Sequence, residues 1–230
     1  MAKQNVKNEG DERLESVETT LTKAEQFVID NQKAIIVVLS IMLVAVLAFF
    51  GVKKYYLEPR EKDAQAAIYH AEKYFENDNF ATALNGDGNY LGFVDIINEF
   101  GGTKTANLAK YYAGVSYLNT GDFNKAVEYL KSYKGKDVLV SSLALGALAD
   151  AQMELGNVAE AAASYENAAL KSANSFTSPM YLLRAGMAYE MAGNYAKAIA
   201  AYNKIKADYP NSNEGFSIEK YIARAQAEMK

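Results

Sequence analysis

Three ten-residue segments of the chain share one pattern: glycine, then Asp or Asn, an apolar residue, two further residues and an alanine. They are GDFNKAVEYL at 121–130, GNVAEAAASY at 156–165 and GNYAKAIAAY at 193–202. Successive glycines are 35 and 37 residues apart. Self-similarity at a nearly fixed period is typical of stacked structural repeats, so the pattern predicts a solenoid.

Each of these glycines separates two stretches that have the composition and periodicity of helices. Glycine adopts the left-handed backbone conformation that ends a helix, and the Asp or Asn that follows can cap the next helix. The alanine of the pattern allows two helices to approach closely. The predicted first helices of the three pairs are Leu108–Asn119, Leu143–Leu155 and Met180–Ala192. No alternation of β-branched residues predicts a strand, so the expected fold is all-α.

The pattern resembles the tetratricopeptide repeat, and the resemblance covers residues 60–213. The third copy, residues 175–213, matches best, at Leu182, Gly186, Tyr189, Gly193, Ala198, Tyr202 and Pro210. The first copy, 105–137, has Gly114, Tyr117, Gly121 and Ala126. The second copy, 138–174, departs at Gln152 and lacks the proline. The resemblance implies helical hairpins whose first helices line a concave surface.

A degenerate copy at residues 63–104 precedes these three. It has Asp78 at the turn and is followed by the insertion NGDGNYLG at 85–92. A charged helix within residues 214–230 is predicted to cap the solenoid, because terminal repeats need a polar outer face.

The segment AIIVVLSIMLVAVLAFFGV, residues 34–52, contains no charged residue. As a helix it spans roughly 28 Å, close to the ~30 Å hydrocarbon core of a bilayer. A signal peptide fits less well because the preceding tail is long and acidic and no small-residue cleavage site follows. A buried core helix is the other alternative. The segment is therefore predicted to be a transmembrane helix.

Residues 1–33 form an N-terminal tail with five basic and seven acidic groups. Leu14, Val17, Leu21, Ala24 and Val28 recur at helical spacing, which predicts a juxtamembrane amphipathic helix. Lys23 and Lys33 flank the apolar segment on its N-terminal side, whereas Lys53, Lys54, Arg60 and Lys62 flank it on the other side. This lysine and arginine bias favours a cytoplasmic location for the repeats.

The sequence offers no catalytic constellation, so the protein is expected not to be an enzyme. It has no cysteine, a single histidine, His70, and a net charge of −4. These features provide no thiolate metal site, no cysteine nucleophile and no basic footprint for nucleic acid. GGTK at 101–104 lacks the rest of a phosphate-binding loop and is predicted to end one helix and begin the next. No cofactor is expected.

The repeat resemblance implies binding of proteins along the first helices of the hairpins. The positions predicted to face inward are Leu108, Tyr111, Val115, Leu118, Leu143, Gly146, Asp150, Met153, Met180, Leu183, Met187 and Met191. Methionine is flexible and polarizable, so it adapts to varied apolar partners. Asp150, Glu154 and Glu190 are expected to give the rim negative charge. Alternatively, the methionines pack between neighbouring hairpins. Lys110 and Arg184 are the nearest candidates for a basic clamp, and no such clamp is evident.

The order of the parts, together with EQFVIDNQKAIIVV at 25–38, resembles the YfgM-like family of bacterial inner-membrane proteins that are ancillary to the SecYEG translocon. The resemblance implies a single-pass inner-membrane protein with a cytoplasmic N-terminus and periplasmic repeats, opposite to the lysine count. Its implied partners are translocon components, emerging or unfolded polypeptides and periplasmic chaperones, contacted as a chaperone-like scaffold. The alternatives are an assembly factor for one cell-envelope complex and a cytoplasm-facing adaptor.

Overall fold

A computed structural model of the chain describes residues 26–229. The chain divides into two compact units, one ending at Tyr56 and one beginning at Leu57. All regular secondary structure within residues 26–229 is helical, which confirms the predicted all-α class. The helices are α1 Gln32–Val52, α2 Glu58–Glu76, α3 Phe80–Asn85, α4 Phe93–Glu99, α5 Lys104–Thr120, α6 Phe123–Ser132, α7 Val138–Glu154, α8 Val158–Ser172, α9 Thr177–Met191, α10 Tyr195–Asp208 and α11 Ile218–Glu228.

The first unit consists, in its described part, largely of α1, which contains the uncharged segment 34–52. None of the residues of α1 is buried. By length and composition it is the one described helix that could cross a membrane, and a signal sequence would meet the same criteria. A π-helical turn, Lys53–Leu57, follows it in the chain. Most of the predicted amphipathic helix at the N-terminus lies outside the described residues.

The second unit contains three helical hairpins, α5 with α6, α7 with α8 and α9 with α10. The first helix of each ends at a glycine with a left-handed backbone: φ is +83° at Gly121, +76° at Gly156 and +72° at Gly193. The repeated glycines therefore have the role that the sequence predicted. The predicted helix caps form in two of the three turns, where the side chains of Asp122 and Asn194 accept hydrogen bonds from backbone N–H groups. The Asn157 side chain makes no such bond.

Small residues allow the two helices of a hairpin to pack closely. Ala126, Ala161 and Ala198, the alanines of the repeated pattern, are completely buried. Gly186 of α9 faces the ring of Tyr202 on α10, and a Cβ atom at this glycine would lie only 2.1 Å from a ring carbon. The small residues of the sequence pattern therefore mark the points of closest approach between helices.

The degenerate repeat differs from the prediction in its start and in its second half. It begins with α2 at Glu58 rather than at residue 63, with Pro59 in the first turn, where the missing N–H costs no helical bond. Asp78 replaces the turn glycine and has φ +56°. The insertion then breaks the second helix into α3 and α4, and Tyr74 donates a hydrogen bond of 2.7 Å to Asp87 within the insertion.

The C-terminal segment is a short 3₁₀ turn, Gly215–Ser217, followed by α11. One face of α11 is buried, with Ile218, Ile222 and Ala225 packed in the same core cluster as Tyr202 and Ile205. The helix therefore covers the apolar end of the last hairpin, and only its outer face is charged.

Candidate groove for protein partners

A groove with a volume of about 710 Å³ runs across α5, α7 and α9, the first helices of the three hairpins. Its walls include three of the residues predicted to face inward, Leu118, Asp150 and Met153. Glu154, which was predicted at the rim, also lines it. The structure therefore brings together one predicted residue from α5 and two from α7, with Arg184 of α9 on the far side.

Two exposed methionines lie on α9, the helix that contributes Arg184 to the groove. Met187 and Met191 follow Arg184 by three and seven residues, so the three side chains share one face of the helix. Met187 is 43% exposed and Met191 is 68% exposed. Neither methionine lines the groove itself, but both are exposed on the face of α9 that carries Arg184.

Other residues predicted to face inward contribute mainly to packing. Tyr111 and Val115 of α5 are half-buried and contact the cluster that contains Ala144 and Leu148 of α7. Met180 and Leu183 of α9, together with Met153, pack against the core of the third hairpin. Of the four methionines, two thus follow the packing alternative and two remain exposed.

Leu108 and Gly146 depart furthest from the predicted arrangement. Leu108 lies at the first half of α5 and lines a different cleft, together with Lys110. Gly146 is buried, and a Cβ atom there would lie 2.3 Å from atoms of the Tyr181 ring. Gly146 therefore provides space for Tyr181 of the next hairpin and does not face the groove. Leu143 is half-buried.

The acidic residues predicted at the rim are largely neutralised. Arg184 lies 3.0 Å from Asp150 and forms a hydrogen-bonded ion pair with it. Tyr165 of α8 donates a second hydrogen bond to the same carboxylate. Burial, followed by this hydrogen bond, raises the pKa of Tyr165. Asp150 is therefore held in place by two donors, and Arg184 is not a free clamp for a carboxylate.

The same arrangement recurs one hairpin later. Arg224 of α11 contacts Glu190 of α9 at 2.8 Å, and Tyr202 of α10 donates a hydrogen bond of 2.9 Å to that carboxylate. Acid and arginine are 34 residues apart in both copies. Burial and the bond to Glu190 raise the pKa of Tyr202. Asp150 and Glu190 are therefore paired with arginines, whereas the exposed Glu154 forms no ion pair among the described residues.

Sequence reasoning missed two aromatic contributors to the groove, Tyr165 and Phe123. Tyr165 is the tenth residue of the repeated segment, the same position as Tyr202, so the recurrence of the aromatic residue was the available signal. Phe123 follows Gly121 and the cap residue Asp122. Nothing in the sequence indicates whether an apolar residue at this position lies in the core or in the groove.

The chain's single histidine, His70, lies outside the groove. His70 stacks on the Tyr90 ring with a centroid separation of 3.4 Å. Within residues 26–229, no group of three His, Cys, Asp or Glu side chains could hold a metal ion. The groove offers the half-buried thioether of Met153, the rings of Phe123 and Tyr165 and the ion pair of Asp150 with Arg184. Such a surface suits an extended apolar polypeptide segment.

Comparison with known families identifies the architecture. Two family profiles, both described as tetratricopeptide repeat, match residues 146–213 and residues 108–137. No curated protein matches the chain. The matched ranges contain the third hairpin and most of the first and second. The hairpin geometry and these matches together support a tetratricopeptide-repeat protein, in which repeated helical hairpins serve protein–protein interaction.

Proposed function

We propose that this protein is a membrane-tethered, non-enzymatic scaffold whose groove holds apolar segments of other polypeptides. The observation that carries the proposal is the exposure of Met187 and Met191 beside the groove. Exposure of large apolar side chains to water is unfavourable, and a partner that covers them removes this cost. Methionine accepts partners of varied shape because its side chain is unbranched and flexible.

The charges of the groove favour a segment within a polypeptide over its C-terminal end. A clamp for a terminal carboxylate requires unpaired cationic groups, yet Arg184 and Arg224 are each paired with an acid. A terminal carboxylate could bind Arg184 or Arg224 only by competing with the acid that each arginine already contacts. Selectivity in the groove therefore comes from apolar contact.

The apolar segment in α1 and the resemblance to YfgM-like proteins support a more specific role. We propose that α1 anchors the chain in the bacterial inner membrane, with the repeats on the periplasmic side. The scaffold there serves translocon components, emerging polypeptides and periplasmic chaperones. Tethering raises the effective concentration of weak groove contacts near the membrane.

Binding is tested with the full chain in lipid nanodiscs and reduced, carboxymethylated α-lactalbumin as a permanently unfolded probe. We expect the double variant Met187→Ser, Met191→Ser to bind about tenfold more weakly, because two apolar contacts are lost. Met229→Ser is the matched control, since Met229 is 57% exposed but lies at the end of α11. Equal affinity of the double variant and the control would contradict the proposed groove.

Orientation is tested in cells, because the natural chain has no cysteine. Ser175→Cys and Asn5→Cys are labelled separately with a maleimide that crosses the outer envelope but not the inner membrane. Labelling at 175 alone supports periplasmic repeats. Labelling at 5 alone contradicts that location and leaves a cytoplasm-facing adaptor. A single dominant cross-linked partner without unfolded clients would instead indicate an assembly factor for one complex.

A further inference from the structure

The second unit has two edges with different surfaces. We call the edge formed by the start of α2 and the connections between successive hairpins the entry edge, because the chain enters the unit there at Leu57. Glu61 of α2 accepts hydrogen bonds from the Lys104 backbone N–H at 2.6 Å and from the Thr105 hydroxyl at 2.8 Å. The Lys134 backbone N–H donates to Asn107 at 3.0 Å. These bonds join the start of α2, the start of α5 and the α6–α7 connection.

The same edge continues along the later hairpins. The first helices of the hairpins begin at this edge and the second helices end there, because each hairpin is antiparallel. Ser178 at the start of α9 donates a hydrogen bond to the carbonyl of Ala169 near the end of α8. Lys206 near the end of α10 lies 2.6 Å from Glu219 at the start of α11.

Three of the four connections on the entry edge have a large exposed apolar side chain in them or directly after them, whereas Phe100, before α5, is buried. Phe176 is 84% exposed and Phe216 is 78% exposed, and Val138 and Leu139 are each about half exposed. At the opposite edge, the apolar residue after each glycine turn is only half-exposed or less: Phe123, Val158 and Tyr195. Met191 and Met229, at the ends of α9 and α11, are also exposed, at 68% and 57%. Within the described part of the second unit, the two exposed phenylalanines both lie on the entry edge.

Unpaired lysines lie on the same edge. A cleft of about 790 Å³ between the start of α5 and the α6–α7 connection is lined by Lys104, Lys110, Lys134 and Lys136. The acidic residue in its lining is Asp137, which is occupied in accepting the Val140 backbone N–H. Among the described residues, none of these four lysines forms an ion pair. The cleft lining therefore has four lysines against one aspartate, and the Glu61 carboxylate contacts the Lys104 backbone N–H beside it.

We propose that the entry edge docks on an anionic phospholipid surface. Lipid interfaces are bound by aromatic rings that enter the acyl boundary together with lysines that contact headgroup phosphates. The entry edge presents both, with the rings at Phe176 and Phe216 and the lysines in the cleft at the first hairpin. The phenylalanines are on separate connections, so each can insert singly, whereas a protein partner would require one contiguous apolar patch. The inference rests on the proposed membrane tether: Leu57 follows the end of α1 by only five residues, and this short linkage keeps the edge within reach of the bilayer.

The test uses the full chain reconstituted in vesicles of phosphatidylcholine with a minor fraction of phosphatidylglycerol. An environment-sensitive fluorophore is attached in turn to Ser175→Cys and Asn213→Cys on the entry edge, and to Ala159→Cys and Ala196→Cys on the opposite edge. All four positions are exposed. We expect spin-labelled lipids to quench the first pair and not the second.

Two sets of variants separate the contributions of the apolar and basic groups. Phe176→Ser with Phe216→Ser should reduce quenching at Ser175→Cys about tenfold, without loss of helicity, because both rings are exposed in the fold. Lys104→Gln, Lys134→Gln and Lys136→Gln together should remove the dependence of quenching on phosphatidylglycerol and on salt. Met229→Ser is the control and should leave quenching unchanged.

The outcomes distinguish this inference from the proposed anchor. Integration of the chain, measured as resistance to carbonate extraction, with quenching confined to the entry edge supports both. Integration with equal quenching at the two edges overturns the docking of the entry edge and leaves the anchor intact. Extraction by carbonate overturns the anchor and the inference that depends on it.

Discussion

The third hairpin and the degenerate repeat solve the same packing problem with different residues. In the third hairpin, Gly186 lets α9 approach the Tyr202 ring, and Gly193 forms the turn with φ +72°. In the degenerate repeat, Ala71 occupies the first position and Asp78 the second, with φ +56°. Each position of the repeat pattern therefore meets a local steric requirement, such as a small side chain at a helix contact or a left-handed backbone at a turn. A different residue can occupy the position where the neighbouring structure differs.

Aromatic packing compensates for the irregular second half of the degenerate repeat. The insertion shortens the helices that cover α2, and Phe75 makes edge contacts there with Phe80, Phe93 and Tyr112 at centroid separations of 5.4, 6.2 and 5.0 Å. Phe93 also stacks on Tyr112 at 5.1 Å. Large rings fill the space that a continuous second helix fills in the later hairpins.

The largest expected effect comes from filling the space at Gly186. Gly186→Leu should lower the free energy of unfolding by about 3 kcal/mol, because the added atoms overlap the buried Tyr202 ring. Thermal unfolding of the full chain in detergent, followed by circular dichroism, measures this loss. Ala196→Leu on the exposed face of α10 is the control, with an expected change within about 0.5 kcal/mol. Equal effects at the two positions would break the comparison.

Alkaline pH should also act through the third hairpin. Burial raises the pKa of Tyr181 to about 12, and burial with a bond to Glu166 does the same for Tyr189. The ordinary value is 10.0, so the unfolded chain releases these protons first. The stability they contribute is complete below pH 10.0 and is lost as the pH rises towards about 12. Melting temperature against pH should show this decline, and Tyr189→Phe should flatten it more than Tyr74→Phe.

The hydrogen bond between Tyr202 and Glu190 gives the next effect. Tyr202→Phe should cost about 1.5 kcal/mol, because Glu190 is largely buried and loses one of its donors. Tyr74→Phe in the degenerate repeat removes a bond to the exposed Asp87, so its loss should be smaller. Urea unfolding of both variants measures the difference. A larger loss of stability for Tyr74→Phe would contradict this order and show that the bond to the insertion contributes more than the bond to Glu190.

The smallest expected effects concern the two turns. Gly193→Ala should destabilise the chain by about 1 kcal/mol, since alanine has to adopt a left-handed backbone. Asp78→Gly should stabilise it by about 0.5 kcal/mol, because glycine adopts φ +56° without strain and aspartate tolerates it only partly. Opposite signs in thermal unfolding would support the equivalence of the turns, and equal signs would contradict it.

Much of the second unit could be predicted from the sequence because its requirements are local. A left-handed turn at Gly121, Gly156 and Gly193, a close approach at Ala126, Ala161 and Ala198, and the helical periodicity between them each depend on a few neighbouring residues. The division of the second helix of the degenerate repeat into α3 and α4 was not predicted, because it depends on how the insertion folds back through Tyr74 and Asp87.

The groove was predicted only in part because its composition depends on distant residues. Asp150 was assigned a free negative charge, yet Arg184 pairs with it from 34 residues away. Met180 and Met187 have the same residue type and lie on the same helix, but the first packs against the core and the second is exposed. Helical periodicity gives the face of a residue and not the depth at which a neighbouring hairpin covers it.

The most direct test of the groove is site-specific photo-cross-linking in cells that produce the full chain. A photoreactive amino acid replaces Met187 in one variant and Ala196, on the outer face of α10, in another. We expect a ladder of cross-linked polypeptides at Met187 that weakens when protein synthesis is stopped, and little product at Ala196. Equal products at the two positions, or none at Met187, would contradict the claim that this groove holds polypeptides.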